Sequence, residues 1–288
     1  MLADWIQLTK PRILQLNLIA AFGGYWVASK WEADWLLLLW LLIGTALTMA
    51  ASCVWNNVWD YELDRKMQRT KDRPLAAGRL KTGGVLLYAL VLGVCGELVL
   101  FWKGNELVGW LGLFGMFMYG CVYTMWLKRK STWSTSIGGV SGAMPPVMGY
   151  CAASNELDAG AWLLFALLYF WQPAHFWSLS IRRLDEYKAA GFPLLPVVKG
   201  IARTKLQMIP YVLFLLPTVT AMYLLGYAGV VFFAVSLLFG MIWMGHTISG
   251  VVTANNEKWS KTNFILSVNY LLVVFVCMVV DTPGRPFW

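Results

Sequence analysis

The sequence predicts an all-α integral membrane protein, and three observations lead to that fold class. Hydrophobic residues make up 59% of the 288 residues and charged residues only 13%, which leaves too little polar surface to cover a water-soluble domain. Apolar segments of membrane length recur along the whole chain, because about 20 helical residues cross the hydrocarbon layer. No stretch has the composition of a linker, so residues 1–288 are expected to form a single transmembrane domain.

Nine transmembrane helices are expected, each an apolar run between charged or turn-forming residues. In chain order they cover residues 11–29, 35–57, 83–102, 107–127, 133–153, 160–181, 205–225, 228–248 and 264–281. The first run follows Lys10 and Arg12, and a weak cleavage-like sequence at 27–29 leads straight into further spans. We therefore expect this first span to be retained rather than removed as a signal peptide.

The basic residues predict the orientation of these spans. If the N-terminus and the loops after spans 2, 4, 6 and 8 face inward, 20 of the 23 Lys and Arg residues lie inside and 3 outside. The positive-inside rule then predicts a cytoplasmic N-terminus, an external C-terminus and a multi-pass protein of the inner (cytoplasmic) cell membrane. The net charge of +8 reflects this topology and the anionic lipid headgroups rather than binding to nucleic acid.

An acidic pattern follows the second span, in the stretch NNVWDYELDRKMQRTKDRPL at 56–75. Asn56, Asp60 and Asp64 are four residues apart, so on a continuing helix they line one face over ~12 Å. We call these three residues the acidic ladder. Hard oxygen ligands of this kind suit Mg²⁺, whose shell substrate phosphates often complete. The alternative is a solvated, salt-paired helix end, which explains the neighbouring bases but not the acids, since acids contribute little to topology.

The bases around the ladder suit a polyphosphate, because Arg and Lys bind phosphate through charge-assisted hydrogen bonds. The residues assigned to a diphosphate are Arg65, Lys66, Arg69, Lys71 and Arg73, together with Lys128 and Arg129 after the fourth span. A diphosphate beside the bilayer indicates an isoprenoid diphosphate, whose apolar tail would dissolve among the helices.

Four motifs now resemble a known family. The stretch at 56–75 resembles the first Asp-rich motif of the UbiA superfamily of intramembrane prenyltransferases, and more narrowly its heme-farnesylating branch, the protoheme IX farnesyltransferases or heme O synthases. Three further stretches resemble the same branch in the same order: LTKPRILQLN at 8–17, STWSTSIGGVSGAMPPVMGY at 131–150 and WQPAHFWSLSIRRLDEYKAAGFPLLPVVKG at 171–200. The ladder marks the superfamily, whereas the His-Phe-Trp block with FPLLPVV points to the heme branch.

The resemblance implies a UbiA-type helix bundle and transfer of a farnesyl group from farnesyl diphosphate to a vinyl group of heme B. Water addition would then give heme O for terminal oxidase assembly. It implies Mg²⁺ as the cofactor, heme B and farnesyl diphosphate as substrates, and other enzymes of heme A synthesis as partners. Two alternatives stay open: a UbiA-type enzyme acting on an aromatic or quinone precursor, and a membrane carrier of heme. The first predicts a fuller second Asp-rich cluster, and the second predicts polar groups at the bilayer midplane.

The substrate side of the site is expected after the sixth span, where the superfamily's second Asp-rich cluster is weaker and leaves the number of metal ions open. His175 lies near the cytoplasmic end of this span, and imidazole is a good axial ligand for heme iron. A packing role for this histidine stays open beside ligation. The residues assigned to heme or substrate are Trp171, His175, Trp177, Arg182, Arg183, Asp185, Glu186 and Tyr187.

Three further groups are expected to be structural. The cysteines Cys53, Cys95, Cys121, Cys151 and Cys277 stand singly in apolar segments, without metal-ligand or redox spacing. His246 lacks a surrounding motif and is expected to pack. Glu97 lies inside the third span, where a charge is costly, and we expect a protonated or internally hydrogen-bonded acid there.

Overall fold

The structure is a computed structural model that describes residues 2–284, and the chain is helical, without strands, over that range. The first helices are α1 (Leu2–Leu8), α2 (Pro11–Ser29), α3 (Trp35–Asp64), α4 (Thr82–Val99) and α5 (Glu106–Phe117). They are followed by α6 (Ser134–Gly142), α7 (Met144–Ser154), α8 (Ala159–Arg182), α9 (Leu184–Ala190) and α10 (Leu195–Val198). The last are α11 (Gly200–Leu224), α12 (Val230–Ser249) and α13 (Asn256–Val280). The expectation of an all-helical fold is confirmed.

Two of these helices continue as π-helical segments. A π-helical turn, Leu100–Gly104, extends α4. A π-helical segment, Met118–Trp126, followed by a 3₁₀ turn, Leu127–Arg129, extends α5. Because the π-helix places more residues in each turn, it turns the end of α5 away from the direction that an α-helix would give.

Six helical segments within residues 2–284 are long and apolar enough to cross a bilayer: Trp35–Asp64, Thr82–Gly104, Glu106–Arg129, Gly200–Leu224, Val230–Ser249 and Asn256–Val280. The other three expected spans coincide with α2, with α6 and α7 together, and with α8. In α7 and α8 most residues are buried against other helices. Helices that face protein rather than lipid need fewer apolar side chains, so length and composition alone do not single them out.

The expected fifth span is two helices rather than one. The chain leaves the helical path at Gly142 and Ala143 and begins again as α7, with Pro145 in its first turn. A proline there lacks an N–H that the new helix would leave unpaired anyway, but it removes a hydrogen bond from a continuous helix.

Acidic and amide side chains fix where the major helices begin. Asp34 accepts hydrogen bonds from the backbone N–H groups of the first turn of α3, and Asp158 does the same for α8. Asn105 caps α5 and Asn255 caps α13. Each cap satisfies donors that a helix N-terminus otherwise leaves without partners.

Glycines bring α2 and α7 into backbone contact near the middle of the bundle. A Cβ atom on Gly24 would lie 1.9 Å from the carbonyl oxygen of Pro146, and a Cβ atom on Gly149 would lie 1.9 Å from the carbonyl oxygen of Ala21. The two contacts are reciprocal, so the helices cross where neither has a side chain. Small residues drive helix association in lipid because they permit this close approach.

Two small hydrophobic clusters hold the loop after α3 against neighbouring segments. One joins α1 and the loop after α3 to α3 and α4, through Leu8, Val54, Leu75, Val85 and Ala89. The other joins the loop after α3 to the segment after α8, through Met67, Ala190 and Phe192. The loop after α3 and the segment after α8 therefore meet near the C-terminal end of α3.

Candidate active site

The acidic ladder lies on one uninterrupted helix, because α3 continues to Asp64. Asn56 and Asp60 are each 1% exposed and Asp64 is 4% exposed. A solvated helix end would leave these side chains in water. Their burial places an amide and two carboxylates in a protein-lined space, where they need partners.

Each member of the ladder contacts one cation. Lys10 Nζ donates to Asn56 Oδ1 at 2.5 Å, and Arg73 Nη1 donates to Asp64 Oδ2 at 2.6 Å. Lys128 Nζ forms a short ion pair with Asp60 Oδ2. The three cations come from three different segments of the chain and converge on one face of α3.

One carboxylate oxygen of the ladder stays unpaired. Asp60 Oδ1 is buried and has no hydrogen-bond partner among the described residues. Asn56 uses its amide nitrogen to donate to Thr124 Oγ1 at 3.2 Å, which turns its carbonyl oxygen toward Lys10. The set of hard oxygens, with one of them orphaned, fits a divalent cation.

The ladder is too small to enclose a metal ion by itself. Within residues 2–284, no three His, Cys, Asp or Glu side chains lie close enough together to hold one. Mg²⁺ is usually bound through one or two carboxylates, with substrate phosphates and water as the other ligands. The donor set therefore suits a metal that arrives with a phosphate ligand.

The local backbone conformation places two of the cations, Lys10 and Lys128, beside the ladder. Lys10 lies between α1 and α2 in a left-handed conformation, with φ of 54°, which turns its side chain back toward α3. Burial, and then the positive charges of Arg73 and Lys128, lower the pKa of Lys10 to about 8, although Cys53 and Asp60 act in the opposite direction. Lys128 is carried by the 3₁₀ turn after the π-helical segment of α5, and such segments often occur at functional sites.

Aromatic rings, together with the loop after α3 and the segment after α8, cover the ladder. The Lys128 ammonium lies 5.6 Å from the ring centre of Tyr123 and 5.4 Å from that of Phe192. Phe192 packs in the same cluster as Met67, which follows the ladder in sequence. These contacts reduce the access of water to the Asp60–Lys128 pair, and lower dielectric strengthens the interaction of charges with any anion bound there.

His175 lies in the C-terminal half of the chain, where its ring is stacked between aromatic side chains of α8 and α13. Its ring lies 4.3 Å from that of Trp171 and 4.6 Å from that of Phe264, nearly parallel to both. His175 Nδ1 is 2.8 Å from Ser267 Oγ, and Trp171 Nε1 donates to the Ser267 carbonyl at 2.7 Å. The ring is therefore held in a fixed orientation.

A polar surface cleft of about 240 Å³ lies at the C-terminal end of α8, lined by Arg182, Arg183, Glu186 and Glu257. The Arg182 guanidinium lies 5.8 Å from the ring centre of Phe264, the ring that stacks on His175. Arg183 pairs with Glu186 at 3.5 Å. The cationic end of α8 is thus joined to the histidine stack through one aromatic ring.

Both the sequence and the fold are similar to those of known proteins. The model of the UbiA prenyltransferase family matches residues 17–269, which includes the ladder, the π-helical segment and the histidine stack. The chain belongs to the UbiA prenyltransferase family. Within that family it is similar to proteins with one shared name.

Those relatives are protoheme IX farnesyltransferases. Protoheme IX farnesyltransferase 1 of Bacillus subtilis is 40% identical over 97% of this chain and 90% of its own length. The protoheme IX farnesyltransferase of Klebsiella pneumoniae is 38% identical over 98% and 95%. Protoheme IX farnesyltransferase 2 of Pseudomonas aeruginosa is 39% identical over 99% and 96%.

Solved structures show the same fold at low sequence identity. A digeranylgeranylglyceryl phosphate synthase is 16% identical and superposes with a TM-score of 0.84 over 99% of both chains. A UbiA homolog from Archaeoglobus fulgidus bound to DMAPP and Mg²⁺ is 16% identical, with a TM-score of 0.69 over 96% of this chain and 99% of that one.

In this UbiA family member, only some of the predicted diphosphate bases reach the ladder. Arg73 and Lys128 contact it directly. Arg65 instead donates to the Ala76 carbonyl and Arg129 to the Trp59 carbonyl. Lys66, Arg69 and Lys71 are exposed on the loop after α3.

The predicted substrate residues divide in the same way. His175 and Trp171 lie together, and Arg182 joins them through Phe264. Trp177 is fully buried against Tyr211, on the other face of α8, because a two-residue step rotates about 200° around a helix. Of the remaining four, Arg183 immediately precedes α9 and pairs with Glu186. On α9, Asp185 is exposed and Tyr187 packs edge-on against Phe192, on the ladder side.

Sequence reasoning did not identify Lys10, Thr124 or Ser267 as members of the site. One sequence feature could have indicated Lys10, because it is a basic residue directly before Pro11, the first residue of α2. Thr124 and Ser267 are single small polar residues in apolar helices, and only the packing of those helices shows what they contact.

The groups expected to be structural are placed inside or on the bundle. Glu97 is 9% exposed, and neither of its carboxyl oxygens has a hydrogen-bond partner among the described residues. His246 stacks on Trp259, with ring centres 5.9 Å apart, and Nε2 lies 3.2 Å from the Trp259 carbonyl. All five cysteines are free thiols.

Proposed function

We propose that the protein transfers the farnesyl group of farnesyl diphosphate to a vinyl group of heme B and, with addition of water, forms heme O. The observation that carries this proposal is the buried acidic ladder with its three cations, in a chain about 40% identical to protoheme IX farnesyltransferases over nearly its whole length. The product would serve the assembly of terminal oxidases, beside other enzymes of heme A synthesis.

Asn56, Asp60 and Asp64 are proposed to hold Mg²⁺ together with the diphosphate of the substrate. The unpaired Asp60 Oδ1 supports this assignment, because it is a buried anionic oxygen that needs a ligand. When bound, such a metal supplies Lewis-acid stabilisation of negative charge on a phosphoryl oxygen. Every other part of the chemistry falls to side chains of the chain.

Lys10, Arg73 and Lys128 are proposed to bind the diphosphate oxygens. All three contact the ladder, so they lie beside the proposed position of the leaving group. Each would stabilise the charge that grows on the diphosphate as its bond to carbon breaks. Lys66, Arg69, Lys71, Arg65 and Arg129 are proposed to add a positive field that attracts the anionic head.

The heme is proposed to lie against the His175 stack. His175 and Trp171 would contact the porphyrin and its iron, and Arg182 and Arg183 would pair with the propionates at the inner surface, where the cleft at the end of α8 has room for anionic groups. Glu186 holds Arg183 in place. Asp185 and Tyr187 on α9 are proposed to border the substrate region, and Trp177, buried against Tyr211 on the other face of α8, is proposed to support that helix.

The reaction itself forms one carbon–carbon bond and one carbon–oxygen bond. The bond between farnesyl C1 and diphosphate oxygen breaks, the terminal vinyl carbon bonds to C1, and the positive charge moves to the carbon beside the porphyrin ring. Water adds its oxygen there and releases a proton, which leaves a hydroxyethylfarnesyl side chain. Aromatic side chains over the ladder, Tyr123 and Phe192, would keep water from the first cation.

We propose that the protein spans the cell membrane nine times, with its N-terminus inside and its C-terminus outside. The arrangement of basic residues supports this orientation. It puts the ladder, Arg182 and both long inner loops on the cytoplasmic side.

Turnover by the purified protein tests the function. Heme B, farnesyl diphosphate and Mg²⁺ are incubated without oxygen in detergent, and the porphyrin products are analysed by mass. We expect one farnesyl group and one water per heme, with the added oxygen derived from isotopically labelled water. Mesoheme, in which ethyl groups replace both vinyl groups, is the matched control and should give no product. Prenylation of an aromatic acid in place of heme B would assign the enzyme to the other UbiA activity.

A further inference from the structure

The hydroxyl of Ser267 decides which nitrogen of His175 carries the proton. Ser267 Oγ lies 2.6 Å from the Phe264 carbonyl oxygen, and a carbonyl can only accept a hydrogen bond. The single hydroxyl proton of Ser267 is therefore used in that bond. His175 Nδ1, at 2.8 Å from the same oxygen, must be the donor in the second contact.

The proton on Nδ1 leaves a lone pair on Nε2, because a neutral imidazole carries one N–H and one acceptor nitrogen. Nε2 makes no hydrogen bond to another described residue, and the His175 side chain is half-buried. The ring cannot turn freely to exchange the two nitrogens, since Trp171 and Phe264 stack on it at 4.3 and 4.6 Å. The protein thus holds a lone pair at one fixed point of the α8–α13 face.

We infer that Ser267 is a positioning residue that holds His175 as the Nδ1–H tautomer so that Nε2 binds the heme iron. The inference rests on the proposed function, because it takes the porphyrin as the ligand. Metal-binding histidines commonly donate their other ring N–H to a neighbouring oxygen, which fixes the ring and raises the basicity of the ligating nitrogen. The pair formed by Ser267 and His175 has this arrangement.

The position of Arg182 agrees with an iron ligand at His175. The two residues are seven positions apart on α8, so they lie on nearly the same face and ~10.5 Å apart along the axis. The propionates of a porphyrin bound at His175 would then extend along α8 toward Arg182. The stack that orients His175 also contacts Arg182, through Phe264.

Heme titration of Ser267→Ala tests the inference, and Ser260→Ala is the matched control. Ser260 is also buried on α13, and its hydroxyl also donates to a carbonyl three residues earlier, but it does not contact His175. We expect Ser267→Ala to bind heme B about 10- to 100-fold more weakly, and its ferrous complex to show an iron–imidazole stretching band at lower frequency. Ser260→Ala should keep the parental affinity and band.

Two further results complete the test. His175→Ala should lose the iron–imidazole band and change the Soret band, and added imidazole should restore both. Binding of farnesyl diphosphate with Mg²⁺ should stay parental in the Ser267 and His175 variants, which shows that they are folded. A parental band and affinity in Ser267→Ala, or a parental heme spectrum in His175→Ala, overturns the inference. Failure of the unaltered protein to farnesylate heme B overturns the proposed function instead.

Discussion

At the scale of single residues, the orphaned oxygen of Asp60 makes the first prediction. Asp60→Asn keeps the size of the side chain but removes the negative charge of the buried carboxylate, whose Oδ1 has no hydrogen-bond partner among the described residues. We expect product formation to fall at least about 100-fold, because a charge-stabilising group is lost. Asn56→Ala should have a smaller but still severe effect, since a neutral ligand holds a cation less strongly.

Glu62→Gln is the control for the ladder variants. Glu62 lies on the same helix but is exposed and points away from the ladder, so its loss of charge should leave turnover unchanged. Turnover and the melting temperature in detergent are measured for each variant. Near-parental activity in Asp60→Asn would rule out the metal assignment.

The buried lysine between α1 and α2 makes a second prediction. Lys10→Met should raise the KM for farnesyl diphosphate about 10- to 100-fold, the effect of losing one hydrogen bond to a charged group. Arg12→Met, two residues later and exposed, should leave the KM unchanged. Equal KM values for the two variants would show that Lys10 serves α3 alone and not the substrate.

At the scale of elements, the contact between α2 and α7 depends on the absence of a side chain at Gly24 and at Gly149. Gly149→Ala places a methyl group 1.9 Å from the Ala21 carbonyl oxygen, so the helices must separate. We expect a loss of about 3 kcal/mol or more in the free energy of unfolding, visible as a lower melting temperature and less folded protein in detergent. Gly245→Ala, on α12 with open space around the new methyl group, should be neutral or slightly stabilising.

How much of the site the sequence reveals depends on the range of each contact. The acidic ladder follows from helical periodicity, which is local, and so it was predictable from three residues spaced by four. The cations are not local: Lys10 lies 46 residues before Asn56, and Lys128 lies 68 residues after Asp60. Their convergence depends on how whole helices pack, and no short pattern encodes that.

The same distinction explains the errors about elements. A hydropathy pattern across residues 133–153 reads as one span, because it records apolar character and not backbone direction. The break at Ala143 arises from the backbone chemistry of Pro145 and from the glycine-rich contact that α7 must reach. The π-helical turn that brings Lys128 inward likewise leaves no signature in hydrophobicity.

At the scale of the whole molecule, the proposed orientation makes a prediction about accessibility. In a cysteine-free background, Glu156→Cys, in the loop between α7 and α8, should react with a membrane-impermeant maleimide added outside the cell. Gln68→Cys, in the loop after α3, should react only after the membrane is permeabilised. Both positions are exposed, so a difference in labelling reports the side of the membrane. The reverse pattern would invert the proposed topology.

The ladder and its three cations together also determine the net charge of the site. Asp60 and Asp64 carry two negative charges, whereas Lys10, Arg73 and Lys128 carry three positive ones, so the buried cluster is a net monocation. A free divalent ion would add to that excess, but a prenyl diphosphate is a trianion and its magnesium complex a monoanion. The complex alone neutralises the cluster, and burial makes that balance energetically decisive. The metal and the diphosphate should therefore bind with positive cooperativity, each raising the affinity of the site for the other.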